Sequence, residues 1–162
     1  MKKIILLLLI TLSLIACDQK NRKHQQGDKF YIEKGGFDMS RIPLIKPYEV
    51  TTPSTNSNWI VASVDTNEVP VTIPGTKHIN VVDSVIFIYS QKTVLDGQPI
   101  DQAWFIIIPK NRLLRGFKSH QEYLNYIPSI KIREPKTYNV NEVFHYFDQK
   151  DTLNWSELNR LY

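Results

Sequence analysis

The residues best suited to acid–base or metal chemistry are four histidines, His24, His78, His120 and His145. No two of them stand at the short spacing, such as H-x-H or H-x-x-x-H, that directs two imidazoles at one metal ion. The single cysteine leaves no pair of thiolates for zinc. A site made by His120 and His145 would depend wholly on the tertiary fold. The sequence therefore predicts no metal site and no cofactor.

The carboxylates suited to hydrolysis are Asp83, Asp96 and Asp101. Cleavage of a glycosidic bond generally uses a pair of carboxyl groups that flank the bond, so two of these acids would have to meet in one cleft. Asp83 interrupts an otherwise apolar run, and a β-bulge or an edge-protecting charge explains it more simply than catalysis does. The sequence contains neither a G-x-S-x-G elbow nor an S-x-x-K pair, which are motifs of serine nucleophiles. The catalytic residues are therefore unknown, and the balance is against an enzyme.

A run of cations, PKNRLLRGFK, spans residues 109–118. It could bind lipid headgroups or an acidic partner, but a solvated connection between a strand and a helix is the simpler interpretation of its charged residues, Lys110, Arg112, Arg115 and Lys118. The whole chain carries a net charge of +4, and half of that surplus comes from Lys2 and Lys3 near the N-terminus. So small a surplus argues against nucleic acid as a partner.

The N-terminal segment, residues 1–16, is typical of a secretory signal peptide. Lys2 and Lys3 precede a short apolar stretch, residues 4–15, and the small residue Ala16 follows it. This charged start, apolar centre and small residue before a cleavage point are the features of an export signal. The apolar stretch is too short for a membrane-spanning helix, which needs roughly 20 apolar residues.

Leu14-Ile15-Ala16-Cys17 resembles the lipobox of bacterial lipoproteins. The resemblance implies that the Cys17 thiol receives a diacylglycerol and that residues 1–16 are removed. Cys17 is the only cysteine, so an intramolecular disulfide is impossible and lipidation accounts for an otherwise lone exported thiol. Two or three acyl chains anchor a protein stably, whereas one does so only marginally. The expected partner of the N-terminus is therefore the membrane of a bacterial cell envelope.

The residues after Cys17 bear on which membrane holds the chain. Asp18 resembles an inner-membrane retention signal of enteric bacteria, but charged residues after the cysteine also resemble the surface-export signal of Bacteroidota. The composition, rich in Lys, Asn and Ile, favours the second interpretation, and with it the outer membrane or cell surface. Residues 18–28, DQKNRKHQQGD, include no apolar side chain and indicate a flexible tether with a reach of about 18–20 Å.

Strand and turn signals begin at residue 29. Asp96-Gly97 is typical of a type I′ hairpin turn and predicts that residues 79–90 pair with residues 100–108. Within these segments, residues 85–89 and 103–108 are apolar on both alternating faces, as in strands that are covered on both sides. About five strands are predicted, at residues 29–33, 41–50, 58–64, 79–90 and 100–108, with a further short strand possible at residues 131–134.

Helical signals dominate the last third of the chain. Ser119 and Glu122 form a capping-box pattern, which predicts a helix that ends before Pro128. Asn139 is a second cap, and the apolar residues after it recur at helical spacing. The C-terminal segment could form a final turn or short helix. This order predicts an α+β fold over residues 29–162, as a single domain whose antiparallel sheet carries two short helices on one face.

The segment at residues 41–53 contains three prolines, which favour an exposed edge that could pair with a partner strand. We therefore expect Arg41, Leu44, Ile45 and Tyr48 to contact a partner. The layout of residues 29–155 is similar to that of small uncharacterised lipoproteins of Bacteroidota, and some exported lipoproteins of this size resemble immunity or inhibitor proteins. The resulting hypothesis is non-enzymatic binding of an envelope protein; the alternative is a hydrolase acting on a glycan or peptide.

Replacement of Cys17 tests the anchor. In bacterial cells the wild-type chain should incorporate labelled palmitate, because the lipobox directs acyl chains to this residue. Cys17→Ala should incorporate none. Equal labelling of the two proteins would contradict the lipoprotein interpretation.

Overall fold

The computed structural model describes residues 28–53, 58–64, 71–150 and 152–161. The predicted signal peptide, Cys17 and the predicted tether up to residue 27 lie outside the described residues. Within the described ranges, no helix combines the length and the apolar character that crossing a membrane requires.

The described strands form one antiparallel sheet, so the predicted α+β class is confirmed. Eight strands are neighbours in chain order, and the ninth pairs with β5 beside β4. Their bounds are β1 Gly35–Gly36, β2 Met39–Pro43, β3 Tyr48–Pro53, β4 Trp59–Ser63, β5 Thr72–Val82, β6 Val85–Leu95, β7 Gln98–Ile108, β8 Leu113–Phe117 and β9 Tyr138–Asn139.

The prediction of about five strands is wrong for two reasons: β1, β8 and β9 are not among the predicted strands, and two of the predicted segments each span a turn. Each of the predicted segments 41–50 and 79–90 contains a chain reversal and therefore contributes to two strands. The second reversal lies at Asp83 and Ser84, whose φ angles are +49° and +64°. Aspartate tolerates this left-handed conformation better than most residues do. Asp83 is thus a hairpin-turn residue rather than a bulge or an edge-protecting charge.

The hairpin of β6 and β7 joins two of the longest described strands, of 11 residues each, and its predicted turn is confirmed. Ile86 pairs with Ile107 at one end and Leu95 with Gln98 at the other. The turn residues Asp96 and Gly97 both have positive φ, +52° and +74°, as a type I′ turn requires.

Both faces of this hairpin are buried, as the sequence predicts. Ile88 and Phe105 contribute to the main core on one face, while Phe87 and Ile106 contribute to a second core on the other. Each buried face must be packed against other elements, and the helices are divided between the two faces. The prediction that all helices lie on one face is therefore wrong.

Four α-helices are described: α1 Lys29–Ile32, α2 His120–Tyr126, α3 Val140–Asp148 and α4 Trp155–Leu161. Helix α2 contributes Tyr123 to the second core, and a 3₁₀ turn at Ile127–Ile130 continues it. Helices α3 and α4 contribute Phe147 and Leu158 to the main core. The two predicted helices are confirmed, and the C-terminal segment forms a short helix.

Local capping explains where the helices begin. The Ser119 hydroxyl accepts a hydrogen bond from the Glu122 amide at 3.2 Å, and the Asn139 side chain accepts one from the Asn141 amide at 2.9 Å. Residues 29–33 were predicted as a strand, which is wrong because Asp28 caps a helical turn there through the Phe30 amide. This hydrogen bond, assisted by Lys46, lowers the pKa of Asp28.

The possible strand at residues 131–134 is also absent from the described chain. Residues 132–137 have no regular secondary structure, and the strand that follows is β9.

The cap of α2 can be tested by mutation. Ser119→Ala should lower the free energy of unfolding by about 1 kcal/mol, because the Glu122 amide loses its acceptor. Ser156→Ala, at an exposed position in α4, is the matched control and should change it by less than about 0.5 kcal/mol. Urea denaturation followed by circular dichroism measures both values. Equal effects of the two substitutions would contradict the capping role.

Candidate functional site

Four aromatic rings form a row across the outer part of the sheet; we call His78, Tyr89, Trp104 and His120 the aromatic row. His78 on β5 pairs with Tyr89 on β6, and Tyr89 pairs with Trp104 on β7. His120, the first residue of α2, lies against Trp104. Successive ring centroids are 5.6, 5.1 and 5.2 Å apart, so the rings contact one another continuously.

Strand alternation explains why the row is accessible. Tyr89 lies two residues after Phe87, and Trp104 lies two residues before Ile106, so all four side chains are on the same face of the sheet. Phe87 and Ile106 are completely buried in the second core, whereas Tyr89 and Trp104 are half-buried and His120 is exposed. The aromatic row thus lies beside the second core, on the same face of the sheet, where the side chains are only partly covered.

Tyr123 packs against the aromatic row from the side of the second core. Its ring stacks on His120, with centroids 5.9 Å apart and planes inclined by 18°. Burial raises the pKa of the Tyr123 phenol above its usual range, and the nearby Glu134 carboxylate raises it further. Tyr123 therefore stays a neutral, buried ring near pH 7 and holds α2 in position.

A polar rim borders the aromatic row. The Gln91 amide donates a hydrogen bond to the Tyr89 hydroxyl at 2.9 Å, and that hydroxyl lies 3.3 Å from the Gln102 amide oxygen. Thr137 lines the same surface, and a carboxylate oxygen of Glu134 lies 3.7 Å from the His120 imidazole. Aromatic rings framed by ordered amides suit binding by packing and hydrogen bonding, since Trp and Tyr are enriched among the residues that dominate binding energy.

The residues that the sequence predicts to contact a partner do not belong to the aromatic row. That prediction requires exposed side chains, and the requirement is not met. Arg41, Leu44 and Tyr48 are buried, and Ile45 is half-buried against the main core. Tyr48 is not on an edge, because β3 lies between β2 and β4, whereas β2 pairs with β1 only at Met39 and Ser40.

Arg41 has a structural role instead. It forms a buried ion pair with Glu49, and its guanidinium donates hydrogen bonds to the carbonyl oxygens of Phe30 and Glu33, each at 3.0 Å. The side chain thereby joins α1 to the sheet.

The acids and histidines considered for catalysis do not converge. Asp83 lies in the turn before β6, and Asp101 lies near the opposite end of the same hairpin. Strand geometry, at about 3.3 Å per residue, puts roughly 25 Å between them. His120 belongs to α2 on one face of the sheet, while His145 is exposed on α3 on the other. Among the described residues, no three His, Cys, Asp or Glu side chains are grouped so that they could hold a metal ion.

The interpretation of residues 109–118 as a solvated connection is wrong, because half of this segment is a strand. Residues 113–117 form β8, the last strand of the sheet. Lys110 and Arg112 precede the strand, Lys118 follows it, and Arg115 lies within it. The Arg115 guanidinium carbon is 4.3 Å from the ring centroid of Tyr126 and 5.5 Å from that of Phe117.

Compared with protein-family models, curated proteins and solved structures, the chain matches none. Its function must therefore be inferred from its own surfaces. In the described part of the chain, two features outside the cores combine exposure with functional chemistry, the aromatic row and β8.

Measurements of stability test whether the aromatic row lies outside the core. His120→Ala should change the free energy of unfolding by less than about 1 kcal/mol, because the side chain is exposed. Phe87→Ala should lower it by about 3–5 kcal/mol, because a fully buried ring is lost. Urea denaturation compares them. If His120→Ala cost as much as Phe87→Ala, the row would be a structural element rather than an available surface.

Proposed function

We propose that this protein is a membrane-anchored lipoprotein of the bacterial cell envelope whose domain binds another protein and catalyses no reaction. The lipobox Leu14-Ile15-Ala16-Cys17 supports the anchor, with residues 17–28 as the tether. The outer membrane or cell surface is the favoured location, and the inner membrane is the alternative. The partner class is a toxin or an envelope enzyme, which the protein would neutralise as an immunity or inhibitor protein does.

The observation that carries the binding proposal is the aromatic row. Its rings are ordered by mutual contact, and its amide rim is ordered by the hydrogen bonds of Tyr89 with Gln91 and Gln102. A surface that is rigid before binding loses less conformational freedom when a partner binds. Such a surface supports protein recognition without any reacting group.

The geometry gives less support to the alternative, a hydrolase acting on a glycan or peptide. That activity would require two of the considered acids or histidines in one cleft. The wide separation of Asp83 and Asp101 and the placement of His120 and His145 on opposite faces argue against such a cleft in the described part of the chain.

A capture experiment tests the binding proposal. Full-length protein immobilised from membranes should retain a specific envelope protein, and Trp104→Ala should weaken that retention about 30-fold, the effect of losing a residue worth about 2 kcal/mol. Phe37→Ala is the matched control, because Phe37 is a fully exposed aromatic residue outside the aromatic row. It should leave retention unchanged.

Two outcomes would contradict the proposal. Retention that is equal for wild type and Trp104→Ala would remove the aromatic row from partner binding. Hydrolysis of envelope glycan or peptide that persists in purified protein and is lost in Asp83→Asn would favour the enzyme.

A further inference from the structure

Strand β8 has a free edge in the described part of the chain. It pairs along its whole length with β7, from Leu113 opposite Ile108 to Phe117 opposite Trp104. No described strand pairs with its other side. The opposite end of the sheet is β1, which has two residues against five in β8. The longer terminal edge is therefore at β8.

The backbone of this edge can accept another strand. In an antiparallel pair, alternate residues direct their N–H and C=O groups towards the partner strand, and the residues between them direct theirs away. Beyond the pairing with β7, no hydrogen bond joins a backbone group of residues 113–117 to another described residue. An added strand would satisfy the groups that face outward.

The side chains around the edge select an acidic partner. Lys110, Arg112, Arg115 and Lys118 are all exposed. The nearest carboxylate along the chain, that of Glu122, is engaged by the Lys118 amide at 3.1 Å. Two copies of β8 paired with each other would bring these cations together, and like charges across paired strands repel. The charge therefore disfavours self-association and favours a strand of opposite sign.

We infer that β8 binds an extended acidic segment of a partner protein by strand addition. The inference rests on the proposed function and specifies the partner's chemistry. Acidic residues on one face of the added strand would meet Arg115, whose planar guanidinium is already held against Tyr126 and Phe117 and is suited to a carboxylate. Apolar residues on its other face would meet Leu114, which is 44% exposed.

The edge is continuous with the aromatic row. Phe117 pairs with Trp104, so a strand added to β8 would lie two strand positions, about 10 Å, from Trp104 on β7. A partner that adds a strand there can therefore place the neighbouring part of its surface over Trp104 and Tyr89. The two surfaces thus lie close enough for one partner to contact both.

Synthetic peptides test strand addition with the full-length protein. The probe is a fluorescent eight-residue peptide that alternates Glu and Val, and its fluorescence anisotropy should rise on binding. The same peptide N-methylated at every residue should bind at least about tenfold more weakly, because it cannot complete the backbone ladder in any register. A peptide that alternates Lys and Val should not bind. Added salt should weaken binding of the acidic peptide, because the contacts are charged and exposed.

Charge variants locate the site. Arg115→Glu should weaken binding of the acidic peptide at least about tenfold, because it replaces attraction by repulsion. Arg115→Gln removes the charge with less change of shape and should weaken binding to an intermediate degree; it keeps the test valid if Arg115→Glu unfolds. Arg160→Glu is the matched control, an exposed arginine on α4 at the other face of the sheet, and it should bind like wild type.

The inference is overturned if the acidic peptide does not bind, if N-methylation has no effect, or if Arg115→Gln binds as tightly as wild type. In the first case the cations serve only to keep the edge from self-pairing. Retention of an envelope protein that depends on Trp104 but not on Arg115 would overturn strand addition while leaving the proposed function intact. Loss of all specific retention, with peptide binding preserved, would instead count against the proposed function.

Discussion

The burial of the β6–β7 hairpin on both faces is the constraint on which the rest of the structure depends. Its side chains are apolar on both faces, and a strand of this kind is stable only when each face is covered. Phe87 and Ile106 on one face, and Ile88 and Phe105 on the other, are almost completely buried. The helices are divided between the two faces because neither face can be left to water.

The candidate binding surface follows from how far those covers extend. Helix α2 and its 3₁₀ continuation are short, and they cover the part of the hairpin around Phe87 and Ile106. The next residues on the same face, Tyr89 and Trp104, are only partly covered, and His120, the first residue of α2, lies against Trp104. The aromatic row is thus accessible because one face of the β6–β7 hairpin is covered over only part of its length.

Features governed by local physics could be predicted from the sequence. The caps at Ser119 and Asn139 and the turn at Asp96-Gly97 depend on residues within a few positions of one another. The strand β8 was missed because its cations suggested a solvated connection, and the turn at Asp83 was missed because it contains no glycine. The aromatic row depends on the register of three strands, which no short sequence pattern specifies. The sequence feature that indicates it is the spacing of two between Phe87 and Tyr89, which places both side chains on one face of β6.

The sheet order separates the point of attachment from the binding region. Arg41 joins α1, the first described element after the predicted tether, to β2, whereas the aromatic row reaches β7 and the free edge is β8. With neighbouring strands about 4.8 Å apart, the path along the sheet from β2 to β8 is roughly 29 Å. In the proposed arrangement, lipid at Cys17 would hold one end of the sheet near the membrane. The opposite end, which carries the rings and the cations, is distant from this attachment, and a partner protein can approach it there.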